Sequence, residues 1–236
     1  TIHTEIIGRM IYLRLSMKTG NASGHNMVTK AADFAMNFII SQCNGLKYVS
    51  ISGNCCTDKK VSSINGILGR GKRVSAEIFV PHDICESVLK ATPEQIAQLN
   101  TKKNLMGSIL AGGVRSANAH YANAVLAIYL ATGQDAANIV EASQGITFAE
   151  VDSTGALYFS VNLPNIIVGT IGSGKKFDFA RKNLELMGCF PDDPLSSQRL
   201  ATIVAASVLC AELSLMASQT NPGELVRVHE KLERNS

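Results

Sequence analysis

The chain has 236 residues, of which 46% are hydrophobic and 17% are charged, and its formal net charge at pH 7 is +3. A chain of this length can bury roughly 70% of the surface that it exposes when unfolded, so its core needs no disulfides. The composition excludes a disordered chain, and the weak charge with 6% aromatic residues argues against nucleic-acid binding. The six cysteines include no CxxC pair, which excludes a zinc ribbon or a thioredoxin-like site and is typical of reduced thiols.

Hydrophobic periodicity predicts strands and one helix in the first third of the chain. Apolar and polar residues alternate over 9–17, which predicts a half-buried strand. The spacing of apolar residues becomes helical over 25–43. Short apolar runs predict further strands at 48–51 and 74–80, and a polar loop at 52–61 lies between them.

Helices dominate the next part of the chain. Thr92 begins a helix with a sequence close to a capping box. A long helix of small residues is predicted over 114–132, and a strand hairpin over 146–151 and 156–168. Because the composition changes from strand-rich to helix-rich near residue 52, we expect a domain boundary there.

Two helices are predicted near the C-terminus. The first begins near Ser196, and its most apolar stretch is 201–217. This stretch contains Thr202 and Glu212 and falls short of the roughly 20 apolar residues of a membrane span. We therefore expect a buried helix and no membrane contact from this segment. A charged helix over 224–234 follows.

The loop SGNCCTDKK at 52–60 carries the densest set of reactive side chains. Asp58, Lys59 and Lys60 are adjacent there. Such a cluster is typical of a solvated surface loop. It is also suited to an anionic substrate, because a lysine ammonium group can stabilise an oxyanion that develops on a carbonyl.

The segment NAHYANAVLAIYLATGQDAAN contains three further candidates. His120 and Asn123 are three residues apart, so in a helix they share a face. A histidine on an alanine-rich helix fits either a residue that packs in the core or at a dimer contact, or a catalytic residue. Asp135 follows an apolar helix, where it fits either an N-cap or a partly buried carboxylate that pairs with a lysine.

The run GTIGSGKK at 169–176 nearly fits the phosphate-loop pattern GxxxxGK[ST]. Lys176 occupies the position where a serine or threonine would bind magnesium, so an anion-binding turn or a plain tight turn is favoured over a nucleotide loop. His229 lies on the charged final helix. There it fits a solvated residue or a mobile acid that folds over a site.

Several segments resemble, in order along the chain, the catalytic domain of the 3-hydroxy-3-methylglutaryl-CoA reductase family. They are SGNCCTDKK, LNTKKNLMGS, NAHYANAVLAIYLATGQDAAN, GTIGSG, CAELSLMA and LVRVH. The resemblance is to the eukaryote-type, NADPH-using class and covers essentially the whole chain. It implies an α+β fold with a large, mainly helical domain around a long central helix. Residues 52–236 would form that domain, with a connecting loop at 52–65. Residues 1–51 would be the back half of a ferredoxin-like small cofactor-binding domain.

The resemblance implies reduction of 3-hydroxy-3-methylglutaryl-CoA to mevalonate and CoA by two hydride transfers from NADPH. Lys59 would stabilise the oxyanions, Asp135 would pair with Lys59, and His229 would protonate the departing CoA thiolate. Other matching positions would hold the substrate or line its CoA side: Ser52, Asp58, Lys60, Lys103, His120 and Asn123. The cofactor positions would be Asn21, Ser23, Gly24, His25, Asn26 and Gly172. No metal is implied.

The sequence departs from the family pattern in its cofactor motifs. The signature Asp-x-Met-Gly-x-Asn is NASGHN here, so Asn21 replaces the acid and Ser23 replaces the methionine, and we expect weaker NADPH binding. The Thr-Glu-Gly motif of the catalytic glutamate is absent from these residues. We therefore expect a C-terminal part of a reductase that is inactive alone. The alternatives are a degenerate homologue that binds CoA esters without turnover and a phosphate-loop nucleotide binder.

The resemblance also implies a homodimer or a dimer of dimers, because active sites in this family form between subunits. The expected location is cytosol-facing. Anchoring of a longer parent chain in the endoplasmic reticulum membrane would require a segment outside these residues.

Overall fold

The computed structural model describes residues 1–233, in which helices combine with two small antiparallel sheets. This confirms a fold of mixed helices and strands. The strands are β1 Ile2–Ile7, β2 Met10–Leu15, β3 Lys72–Val80, β4 Ile146–Val151 and β5 Leu157–Ile166. The α-helices are α1 His25–Gln42, α2 Ser63–Leu68, α3 His82–Ile84, α4 Pro93–Leu99, α5 Ser108–Leu110, α6 Tyr121–Ala131, α7 Ile139–Ala142, α8 Asp178–Leu186, α9 Ser196–Gln219 and α10 Glu224–Glu233. Short π-helical segments are Cys85–Leu89 and Asn100–Gly107, and 3-10 turns are Ala136–Asn138 and Ser173–Lys176.

The first 45 residues form the β1–β2 hairpin and α1. The hairpin pairs Ile2 with Leu15 and Ile7 with Met10, which confirms the predicted strand and adds a second one before it. No residue of α1 is buried, and Phe34 on this helix is 75% exposed. The apolar residues of the β1–β2 hairpin and of α1 are therefore largely exposed within residues 1–233.

The predicted strand at 48–51 is wrong, since these residues form no strand pairing. Local bonds to side chains hold this segment instead. The Ile51 amide donates to the Tyr48 hydroxyl at 3.2 Å, and the Ser52 amide donates to the Ser50 hydroxyl at 3.2 Å. Such bonds compete with strand pairing for the same backbone groups.

The core lies between α9 and the sheet of order β3-β5-β4. The inward residues of β5 alternate strictly: Leu157, Phe159, Val161 and Leu163 are all fully buried. This alternation is the period of a strand with one face on a core, and it confirms the predicted hairpin of β4 and β5. The capping box at the start of α4 is also confirmed.

The helix α9 confirms the buried helix that the sequence predicts from Ser196. By length and composition it could cross a membrane, with a mean hydropathy of 2.0. However, the segment is 56% buried, and its residues Val204, Val208 and Met216 belong to the hydrophobic core. The core helix of a globular domain passes the same test, so these properties are weak evidence for a membrane span.

The predicted helix over 114–132 begins only at Tyr121. The preceding residues are extended at Ala117, whose amide donates to Gly145 and whose carbonyl accepts from Thr147. The Asn118 side chain then accepts the Tyr121 amide at 3.2 Å. His120 is therefore the N-cap residue of α6 and not part of its interior, so the argument that it shares a helix face with Asn123 was wrong.

Candidate functional site

An ion pair between Lys59 and Asp135 joins two of the predicted catalytic residues. Lys59 Nζ lies 2.8 Å from Asp135 Oδ2, and their side chains are 39% and 37% exposed. The hydrogen bond to Asp135 raises the pKa of Lys59. Burial raises the pKa of Asp135, but the hydrogen bonds from Lys59 and the Ala137 amide outweigh it, so this pKa lies below its usual value. An exposed pair adds about 1 kcal/mol or less to stability. The pair therefore matters more for the charge and position of the lysine than for folding.

The backbone of Lys59 is held in a left-handed conformation, with φ of 56°. For a residue with a side chain this conformation costs roughly 1–2 kcal/mol. The Lys59 amide donates to Glu141 Oε1 at 3.0 Å, which offsets that cost. The fully buried Asn65 side chain bonds the carbonyls of Thr57 and Lys60 at 3.2 and 3.0 Å. The loop that carries Lys59 is thus anchored on both sides of this residue.

Two charged residues that sequence reasoning missed complete this anchor. Glu141 is fully buried on α7, and Arg70 contacts its Oε1. Arg70 also lies 2.6 Å from Asp58 Oδ1, and Asn138 donates to Glu141 at 3.1 Å. A charged residue within the apolar segment NIVEAS was the available signal, because a buried carboxylate requires partners.

The two glycine motifs, NASGHN at 21–26 and GTIGSGKK at 169–176, lie against each other. Ala22 forms an isolated parallel bridge with Ile171, and the Thr170 amide donates to the Asn21 carbonyl at 2.8 Å. The approach is so close that a Cβ on Gly169 would lie 2.4 Å from the Ser23 nitrogen. Only glycine fits this contact without displacing the backbone.

The same glycine loop is tied to the turn that carries Asp135. Gln134 donates to the Gly169 carbonyl and accepts the Gly169 amide, both at 2.9 Å. Lys175 Nζ donates to the Gly133 carbonyl at 2.8 Å. Burial lowers the pKa of Lys175 to about 8, although Asp135 raises it. The lysine of the near phosphate-loop pattern is therefore engaged with the protein backbone.

The NASGHN motif lies at the N-terminus of α1. Gly24, with φ of 93°, precedes α1, and no side chain caps this helix. The free amides of a helix N-terminus favour a phosphate. His25 Nε2 is buried without a hydrogen-bond partner in residues 1–233. Gly172, with φ of 118°, lines a neighbouring cavity of about 250 Å³.

The Asn21 side chain is already bonded within the protein. Its Nδ2 donates to the Asp193 carbonyl at 2.7 Å, and its Oδ1 accepts the Ser197 amide at 3.1 Å. Asn21 therefore fastens the cofactor motif to the start of α9. Ser23 bonds the His25 ring at 3.3 Å, and Asn26 lies in the first turn of α1.

Residues 1–234 match the family model of hydroxymethylglutaryl-coenzyme A reductase. The chain belongs to this family. Similar proteins are named 3-hydroxy-3-methylglutaryl-coenzyme A reductase in Pyrococcus horikoshii, 47% identical over 97% of this chain, and in Methanocaldococcus jannaschii, 45% identical over 97%. A reductase 2 of Dictyostelium discoideum is 45% identical over 100% of the chain. These matches cover 56%, 56% and 46% of the relatives, so this reductase-family chain spans about half their length.

The other predicted residues of this reductase-family chain lie on several elements. Ser52 is exposed and lies 3.5 Å from Cys56 Sγ in the Lys59 loop. In the same loop, Lys60 Nζ donates to the Asp58 carbonyl at 2.8 Å. Lys103 is half-buried in the π-helical segment before α5, and its Nζ is 3.5 Å from Asn104.

The last three predicted residues lie outside the Lys59 loop. His120 is 20% exposed beside the buried Glu212, and Asn123 is exposed on α6. His229 is exposed on α10. Of the three residues that would be catalytic, the structure pairs Lys59 directly with Asp135.

Proposed function

We propose that this chain supplies the Lys59–Asp135 part of an active site that reduces 3-hydroxy-3-methylglutaryl-CoA to mevalonate and CoA. The observation that carries the proposal is the 2.8 Å ion pair, in which an anchored loop presents a protonated lysine beside the two packed glycine motifs. The family membership and the shared name of the relatives supply the substrate.

Lys59 acts by electrostatic stabilisation. Its raised pKa keeps the ammonium group protonated at neutral pH. The ammonium group donates a hydrogen bond to the thioester oxygen as negative charge develops there, and again to the aldehyde oxygen in the second reduction. Asp135 holds the ammonium group in place and keeps it charged. Such a donor is commonly worth about 3–4 kcal/mol of activation free energy.

NADPH, when bound, supplies the hydride for each of the two reductions. The residues proposed to hold it are Asn21, Ser23, Gly24, His25, Asn26 and Gly172. The N-terminus of α1 would receive phosphate, and the uncapped amides and the unpartnered His25 Nε2 support this placement. The loop that contains Gly172 is bonded to Gln134, beside Asp135, and the NASGHN motif lies against that loop.

The remaining proposed roles concern the substrate. Ser52, Asp58 and Lys60 would hold the hydroxymethylglutaryl group, while Lys103, His120 and Asn123 would line its CoA side. His229 would protonate the CoA thiolate as it leaves, because a thiol with a pKa of about 8.5 leaves more readily with a proton. His229 is exposed on α10, so its side chain is accessible to a ligand.

The test is NADPH oxidation by the complete protein with 3-hydroxy-3-methylglutaryl-CoA. Acetyl-CoA serves as the control thioester, and NADH as the control cofactor. We expect mevalonate and free CoA, with two NADPH oxidised for each mevalonate. Oxidation that is independent of the hydroxymethylglutaryl group would contradict the proposed substrate.

A second candidate is a non-catalytic homologue that binds CoA esters. The internal bonds of Asn21 favour it, because they engage the side chain that replaces the acid of the cofactor signature. Calorimetric binding of the CoA ester without turnover in the complete protein would support this candidate.

The proposed assembly is a homodimer or a dimer of dimers in a cytosol-facing location. The exposed apolar surface of α1, including Phe34 at 75% and Phe38 at 59%, is consistent with burial against further protein. Light scattering of the complete protein measures the subunit number, and a monomer at micromolar concentration would contradict the assembly.

A further inference from the structure

The helix α9 carries a buried carboxylate that the proposed reaction does not use. Glu212, within the motif CAELSLMA, is fully buried on a largely apolar stretch of this helix. A buried carboxylate is costly unless hydrogen bonds and charge compensate it. The partners of this group therefore indicate what it does.

The partners of Glu212 lie at the start of α6. The Ala119 amide donates to Oε1, and the His120 amide donates to Oε2 at 3.0 Å. The Thr147 hydroxyl lies 3.0 Å from Oε1 and 3.0 Å from the Tyr121 hydroxyl. Burial raises the pKa of Tyr121, so its phenol stays protonated and can donate to Thr147. Amide donors and the positive end of a helix both favour an ionised carboxylate.

The His120 ring faces the same carboxylate. Its Nδ1 is buried, lies 3.6 Å from Glu212 Oε2 and has no hydrogen-bond partner within residues 1–233, so the carboxylate is its nearest charged neighbour among the contacts of this ring. The side chain is 20% exposed. Because Nδ1 is buried, this exposure belongs to the rest of the side chain, which includes Nε2. An ionised carboxylate can only accept, so the proton between the two groups belongs on Nδ1.

We propose that Glu212 is a positioning residue that keeps His120 in the Nδ1-protonated tautomer and presents an unprotonated Nε2 to a hydrogen-bond donor of the ligand. The group that faces one imidazole nitrogen determines which of the two nitrogens carries the proton, and here a carboxylate oxygen faces Nδ1 at 3.6 Å. That the ligand is a CoA thioester rests on the proposed function. The tautomer and its dependence on Glu212 do not.

The direct test is a set of long-range ¹H–¹⁵N spectra of the complete, ¹⁵N-labelled protein. The His120 signals are assigned by their loss in His120→Gln. We expect a protonated Nδ1 and an unprotonated Nε2 in the wild type, and a shift to mostly Nε2-protonated ring in Glu212→Gln. A wild-type ring protonated on Nε2, or an unchanged tautomer in Glu212→Gln, would overturn the proposal. If Glu212→Gln does not fold, the wild-type spectrum decides alone.

Thr147→Val is the matched control. It removes a hydroxyl that contacts the same carboxylate but leaves the His120 contact intact. We expect lower stability with the His120 tautomer unchanged. A tautomer shift in this variant as large as that in Glu212→Gln would contradict a specific role of the carboxylate.

A double-mutant cycle tests whether Glu212 acts through His120. We expect Glu212→Gln to lower kcat/KM roughly 10–100-fold when His120 is present, as the loss of a group that orients a functional histidine commonly does. The loss should shrink to less than about twofold in the His120→Gln background. Equal losses in both backgrounds would show a merely structural role. If the protein does not reduce the proposed substrate, the spectra still test the tautomer, so the two failures are distinguishable.

Discussion

The exchange Glu141→Gln tests how the Lys59 loop is held. It keeps the side-chain volume and one carbonyl acceptor but removes the charge that faces Arg70, Asn138 and the Lys59 amide. A hydrogen bond to a charged acceptor is worth about 1 kcal/mol more than a neutral one. Three such bonds set an upper limit of about 3 kcal/mol. Arg70 retains its ion pair with Asp58 and is 24% exposed. We therefore expect the free energy of unfolding to fall by about 2 kcal/mol.

Urea unfolding followed by circular dichroism measures this loss, with the slope of the transition unchanged. The turnover number should also fall about tenfold, because Lys59 no longer has a strong acceptor for its left-handed backbone. Glu150→Gln on β4 is the matched control, since Glu150 is exposed, and it should change neither quantity. Wild-type stability and turnover in Glu141→Gln would refute the anchoring role.

Three further predictions concern the glycine motifs. The folded-state pKa of Lys175, about 8, is below the unfolded value of 10.5, so the unfolded state binds more protons above pH 8 and stability rises there. Relative to Lys175→Met, the wild type should gain about 2 kcal/mol in urea unfolding between pH 7 and pH 10, and a constant difference would contradict the lowered pKa. Asn21→Asp should lose about 1 kcal/mol or more of unfolding free energy, because a carboxylate cannot donate to the Asp193 carbonyl; a more stable variant would show that this bond is unimportant. Gly169→Ala should lower the free energy of unfolding by about 1–3 kcal/mol, because its Cβ meets the Ser23 backbone. It should also weaken NADPH binding in a fluorescence titration. Gly155→Ala, whose Cβ meets nothing within 4 Å, should leave binding unchanged.

Elements with a strict local pattern could be predicted from the sequence. In the β4–β5 hairpin, every second residue of the first part of β5 is buried, which is the period of a strand. The Thr92 capping box depends on two residues that are three positions apart. The Lys59–Asp135 pair was expected from a family resemblance, since its members are distant in sequence. The information for the hairpin and for the capping box lies in short motifs.

Features that depend on distant partners were missed. The start of α6 is displaced to Tyr121 because Glu212, far along the chain, accepts the Ala119 and His120 amides. Small residues in this segment favour helix, but tertiary hydrogen bonds override that propensity. Glu141 and Arg70 were missed for the same reason, because each is explained only by the other.

The turnover of Lys59→Ala tests the central claim most directly. In the complete protein, kcat for NADPH oxidation with 3-hydroxy-3-methylglutaryl-CoA should fall about 10²–10³-fold, while the urea midpoint stays near that of the wild type because the ion pair is exposed. Lys182→Ala, which removes an exposed lysine on α8, should leave kcat unchanged. A Lys59→Ala protein that turns over at the wild-type rate would contradict the account.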